Sequence, residues 1–147
     1  MADYHKMIRD AVVTTLEGAA VGVPVYPSDK LDFANVSAPA VVVAAVGPEQ
    51  NRGEMSTNAQ DGIGYPVAVA LLLAGTDRGE KSPDAPELTD FRRTLRTLFN
   101  NRRLAGVAQV GWCEINDSGP LFDPKDPSFQ KVSTAMVVTA VGRFPRT

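Results

Sequence analysis

The chain predicts an α+β fold: one domain, a largely antiparallel sheet of about five strands, and two helices packed on it. Three observations predict it. Two stretches repeat apolar residues at three-and-four spacing, the pattern of helices with one buried stripe. Five short apolar runs, most of them rich in valine and alanine, read as strands. Their order is helix, three strands, helix, two strands, so strands mostly follow one another, which favours antiparallel pairing. A length of 147 residues suits a single domain spanning 1–147, and such a chain buries about two thirds of its unfolded surface.

The first helix is expected from about Asp3 to Glu17. Tyr4, Met7, Ile8, Ala11, Val12, Thr15 and Leu16 form its apolar face. Asp3 is placed to cap its start and Gly18 its end. Val21 to Tyr26 reads as a short strand that Pro24 keeps at an edge. Ala40 to Val46 reads as a buried strand, punctuated by Pro39 and by Gly47-Pro48. Residues 48–62 are polar and rich in turn formers, so they read as a long loop, with "DGIGYP" turning into the next strand. Tyr65 to Gly75 is apolar at both parities of a period-two pattern. It should be a strand covered on both faces, within the chain or by a neighbouring subunit.

The second helix is expected to start between Pro83 and Pro86, because proline is accepted in a first turn. Ser82 is placed to cap it, and Asp84 and Glu87 suit the positive end of its dipole. Leu88, Phe91, Leu95, Leu98 and Phe99 form its core stripe, and Asn100 or Asn101 suits a left-handed end. Val107 to Ile115 reads as a strand, residues 116–131 as a proline- and aspartate-rich loop, and Val132 to Phe144 as a long closing strand.

Composition narrows the function. The apolar fraction of 44% and charged fraction of 22% are those of an ordinary globular protein. A net charge of −2 argues against a general nucleic-acid coat or a membrane-surface protein. The single cysteine, Cys113, excludes an internal disulfide and points to a reducing compartment or a particle assembled in one. The first ten residues lack the apolar core of a signal peptide, and no apolar run of 18 residues is present to span a membrane.

Chemistry-bearing patterns are weak. His5 is the only histidine and reads as a solvated helix residue, since alone it makes neither a triad nor a metal site. Cys113, beside Trp112 in a strand, reads as a small buried hydrophobe rather than a nucleophile. Glu114, Asp117, Asp123 and Asp126 lack the alternating spacing of a calcium loop, and Lys125 intrudes. Asn116-Asp117-Ser118 matches a glycosylation acceptor only by accident if the chain is not secreted. The glycines of "DGIGYP" precede a strand rather than opening a helix, so no dinucleotide is expected there. The expectation is a protein that is not an enzyme, with no cofactor and no metal.

The densest feature is "FRRTLRTLFNNRR", Phe91 to Arg103, which holds five of the 15 basic residues. From Leu88 to Gly106 the local charge is +4, leaving −6 on the rest of the chain. At 100° per residue, Arg103 and Arg96 fall about 20° and 40° from Arg92, and Arg93 about 100° from it. Arg92, Arg96 and Arg103 would then form a ridge beside the core stripe if the helix reached that far. Two roles compete: a basic strip that meets phosphates or a partner's carboxylates, and a helix flank whose guanidiniums reach past apolar stems into water.

The layout as a whole resembles the tail-terminator and head–tail completion (neck) proteins of long-tailed bacteriophages. The segments that carry it are the N-terminal amphipathic helix, "PVY", "YPVAVALLLAG", "LTDFRRTLRTLF", the "WCE" strand and the closing "VGRFPR". The resemblance implies a structural virion protein in the tail or neck, assembled in the host cytoplasm. It implies a ring of this chain, commonly six copies, that caps the tail tube and joins it to the head. The implied partners are itself, the tail tube protein and a head-completion or connector protein, with DNA passing non-specifically through the channel and no membrane. Arg92, Arg93, Arg96 and Arg103 are the candidate subunit-contact or channel residues. The alternative is a small nucleic-acid-binding module using the same arginine-rich helix.

Overall fold

A computed structural model of the chain describes residues 3–19, 21–29, 39–72, 86–117, 132 and 134–146. Their order is α1 (Tyr4–Gly18), β1 (Val25–Ser28), β2 (Ala40–Ala45), β3 (Gln50–Asn51), β4 (Gln60–Leu72), α2 (Pro86–Phe99), β5 (Val110–Asp117) and β6 (Thr134–Pro145). A single 3-10 turn, Gly53–Met55, lies between β3 and β4. The strands form one sheet in the order β1-β2-β4-β6-β5, with β3 also pairing with β4. Only β1 and β2 run parallel; the other pairs are antiparallel. The expected α+β architecture is present, with six strands where about five were expected.

Strand parity divides the core. Val41, Val43, Val67, Val69, Leu71, Met136, Val138 and Ala140 point to one face and meet α1 and α2 there. Val42, Ala44, Ala68, Ala70 and Leu72 point to the other face, with Val132 among them. Every residue of β4 from Val67 to Leu72 is buried, as its two-sided apolar pattern requires. Burying each such valine or leucine contributes roughly 1.5 to 3 kcal/mol. Residues 73–75 lie outside the described residues.

Both helices sit on the same face. In α2, Leu88, Phe91, Leu95 and Phe99 are buried as expected, and Leu98 packs against them. The described helix starts at Pro86; Ser82 and Asp84 lie outside the described residues. It ends at Phe99, where Asn101 takes φ 58°, the left-handed turn expected of that asparagine.

The α1 face is rotated from the expected one. Asp3 caps the helix, its Oδ1 accepting from the Lys6 N–H at 3.1 Å. Gly18 is its last helical residue, not a left-handed cap; Ala19 follows in right-handed geometry. Ile8, Val12 and Leu16 are buried as expected, but Met7 is 40% exposed while Arg9 and Val13 are buried. Arg9 is tolerated because its guanidinium is fully engaged. Nη1 reaches Asp29 Oδ1 at 2.6 Å and the Ser28 carbonyl at 3.1 Å, and Nε and Nη2 reach Asp10 Oδ1. Burial opposes its charge, but the carboxylates of Asp29 and Asp10 outweigh that and raise its pKa.

Three further departures have local causes. The strand expected over Val21–Tyr26 runs instead from Val25 to Ser28. The Val41 N–H bonds the Pro24 carbonyl, so the backbone polar groups of Pro24, Tyr26 and Ser28 face β2, while those of Val25 and Pro27 face out of the sheet edge. Residues 48–62 are not a plain loop: β3, the 3-10 turn and the start of β4 make a hairpin arm, and "DGIGYP" lies within β4. Pro66 is accepted inside β4 because its carbonyl accepts from Val46. Its missing N–H therefore falls on the side where β2 ends and β3 has not begun. In β5, a bulge at Gly111 lets both Val110 and Cys113 face the helices.

No described helix is long and apolar enough to cross a membrane.

Candidate interaction surface

The arginines of α2 fall into separate settings rather than one ridge. Arg92 is half-buried and its Nη1 donates to Thr134 Oγ1 on β6 at 3.0 Å. Arg93 pairs with Asp90 at 3.3 Å, one turn back, with both side chains about 70% exposed to water. Such a pair contributes little. Arg96 is exposed on the helix flank. Arg103 lies beyond the helix end, so its expected helical angle does not apply. It is exposed beside Arg102, in a turn held by backbone bonds to β5: Asn101 N–H to the Cys113 carbonyl, and Cys113 N–H to the Arg102 carbonyl, both 2.9 Å. Arg96, Arg102 and Arg103 make no ion pair among the described residues. The expected ridge of Arg92, Arg96 and Arg103 is therefore not one helical face, and among the described residues Arg96, Arg102 and Arg103 carry charge without an ion pair.

The opposite flank of α2 borders a furrow. Two adjoining hollows of about 410 and 490 Å³ share Val21 and Val23. Leu71 and Phe91 line one and Leu16 the other, so the floor is apolar. The charged residues lining them among the described residues are all acidic: Glu87 and Asp90 in the first, Glu17 in the second.

A third feature is the hairpin arm. Arg52 reaches across the sheet to Glu114, Nη2 to Oε2 at 3.1 Å and Nη1 to Oε1 at 3.4 Å, and Nη2 also meets Gln50 Oε1. Trp112 Nε1 donates to the same Glu114. The arginine's hydrogen bonds, aided by the indole, hold the Glu114 carboxyl below its ordinary pKa against a smaller opposing effect of burial. Arg143 Nε donates to the Met55 carbonyl, and Arg146 pairs with Asp61. Gly62 carries the arm's closest approach: its carbonyl accepts from Arg52 N–H, and a Cβ there would collide with the Arg52 carbonyl and Met55. Arg52 was not legible as a site residue, because nothing in a polar turn-rich stretch marks one arginine as a pin.

Candidates for chemistry fare as follows. Cys113 is fully buried, and burial pushes its thiol up to about 11. His5 is half-buried rather than fully solvated: its Nε2 donates to the Pro66 carbonyl at 2.6 Å, since a carbonyl only accepts, and its ring tilts against Tyr65. Tyr65 in turn meets Phe144 edge-on, and Tyr4 packs on the same ring. Burial raises the Tyr65 phenol, and Glu49 adds to this. Asp123 and Asp126 lie outside the described residues. No cluster of three potential metal ligands occurs among the described ones.

No protein-family model matches the chain, and no curated protein matches it significantly.

Proposed function

We propose that the chain is a structural subunit of a phage neck. It forms an oligomeric ring, of six copies in the reading favoured by the layout, that caps the tail tube and joins it to the head. DNA passes through the channel without being read. The observation that carries this proposal is the hairpin arm. Its tip, from Gln50 to Ala59, is largely exposed and adds nothing to the core, yet it is pinned to the body through Arg52, Arg143 and Arg146. A polar arm held rigidly outside a packed sheet is suited to presenting contacts to a neighbour, as binding segments on a fixed scaffold commonly are. The layout resemblance supplies the kind of assembly.

The test is to express the chain beside a tail tube protein, purify the tails and look for it at their ends by antibody labelling and mass spectrometry. Ring-sized density at one tail end, with a matching oligomer mass, is the expected result. Tails that never carry the chain would sink the proposal.

A further inference from the structure

Resting on the ring reading, we infer that copies of the chain join head to tail through α2. The basic turn of one copy (Arg102 and Arg103, with Arg96) seats in the acidic-rimmed furrow of the next, against Glu17 and Asp90. Three observations carry this.

The two surfaces are complementary. Among the described residues, one offers three arginines without ion pairs, and the other an apolar floor of Val21, Val23, Leu71 and Phe91 beside the carboxylates of Glu17 and Asp90. Asp90 already holds Arg93, but in an exposed pair that exchanges partners easily. Arginine suits such a furrow, because its aliphatic stem covers apolar surface while the planar head bonds carboxylates.

The surfaces cannot satisfy each other within one chain. Arg96 lies about 120° to 180° round α2 from Asp90, Thr94 and Glu87 at 100° per residue. Arg102 and Arg103 lie beyond its far end. A contact between unlike patches on opposite flanks is heterologous, and it closes into a ring when the rotation between copies allows.

Helix-dipole preference does not account for the pattern. It explains Glu87 in the first turn and Arg96 in the last. It has no bearing on Glu17, which belongs to α1, or on Arg102 and Arg103, which follow the helix.

Two charge-reversed chains test it, with sedimentation velocity at low and high salt as the readout. One carries R102E and R103E, the other E17K and D90K; all four positions are exposed, so both should fold, which circular dichroism verifies. Wild type should self-associate and weaken in salt. Each variant alone should associate at least about tenfold more weakly, as like charges now face each other. An equimolar mixture should recover wild-type assembly, because each reversed surface then meets its complement. If wild type assembles and neither variant is weakened, or the mixture fails to recover, the contact is wrong while the ring stands. If wild type stays monomeric at every concentration and on tail ends alike, both fall. If instead R102E/R103E abolishes only the binding of a double-stranded DNA oligonucleotide, the turn faces nucleic acid and the contact is overturned.

Discussion

Arg52 and Glu114 stand 62 residues apart in sequence and meet at two oxygens, 3.1 and 3.4 Å, joining the hairpin arm to the far strand β5. The pair is partly shielded, with side-chain exposures of 24% and 33%. Glu114→Gln should therefore loosen the arm rather than unfold the protein. Amide exchange in residues 50–62 should quicken several-fold while global stability changes by about 1 kcal/mol or less. The lowered pKa sets the pH behaviour. The contribution is present above the ordinary glutamate range near roughly 4.3 and is lost as pH falls through the lower folded value. Arm exchange that is unchanged by the substitution and insensitive to acid would remove the pin.

Thr139 is fully buried in β6, and its hydroxyl has no hydrogen-bond partner among the described residues. An unpaired buried hydroxyl costs about 1 to 3 kcal/mol. Thr139→Val keeps the branched shape and removes the orphan, so it should stabilise by roughly 1 kcal/mol in urea unfolding. A clear loss of stability would mean the hydroxyl is satisfied in solution.

Two glycines should behave oppositely to a third. A Cβ on Gly142 would run into the Gln109 carbonyl at the β5 bulge, and one on Gly62 into the arm. Either alanine substitution should cost about 2 to 4 kcal/mol. Gly18 has open space around it and ends α1, so Gly18→Ala should be neutral or stabilise by up to about 1 kcal/mol. Equal effects at all three positions, measured by thermal unfolding, would contradict the packing described.

Cys113 should resist thiol reagents in the native state and react only on unfolding. Its thiol is raised from 9.0 to about 11, so the unfolded chain loses this proton first as pH climbs. Stability should fall between those values, by roughly 2 to 3 kcal/mol at most. Cys113→Ala should flatten that part of the pH profile.

The parts legible in the sequence were those whose signal is local. The unbroken apolar run of β4 and the stripe of α2 each show their burial in consecutive residues. The parts that were not legible depend on distant partners. Met7 fits the apolar stripe of α1 better than Arg9 does, but Arg9 is buried because Asp29 and Ser28 come within reach of its guanidinium. His5 is likewise placed by Pro66 and Tyr65. The arm reads as a loop because its strand character comes from pairing with Gly62 to Gly64, not from its own polar residues. The same holds for the interaction surface. The arginines were visible as a cluster, whereas their separation into paired and unpaired ones required Thr134 and Asp90 to be placed.

Pro27 has a consequence for what concentrated protein can do. It occupies an outward position of β1 and carries no N–H, which makes that rim of the sheet a poor template for a further strand. Among the described strands, open rims remain at β3, which is two residues long, and at β5, already half-occupied by Asn101 and Arg102. In the language of polymer chemistry, the described sheet has only short or partly blocked reactive ends. Growth by rim-to-rim strand addition is therefore disfavoured, because no two long open rims are present among the described strands to carry it from chain to chain.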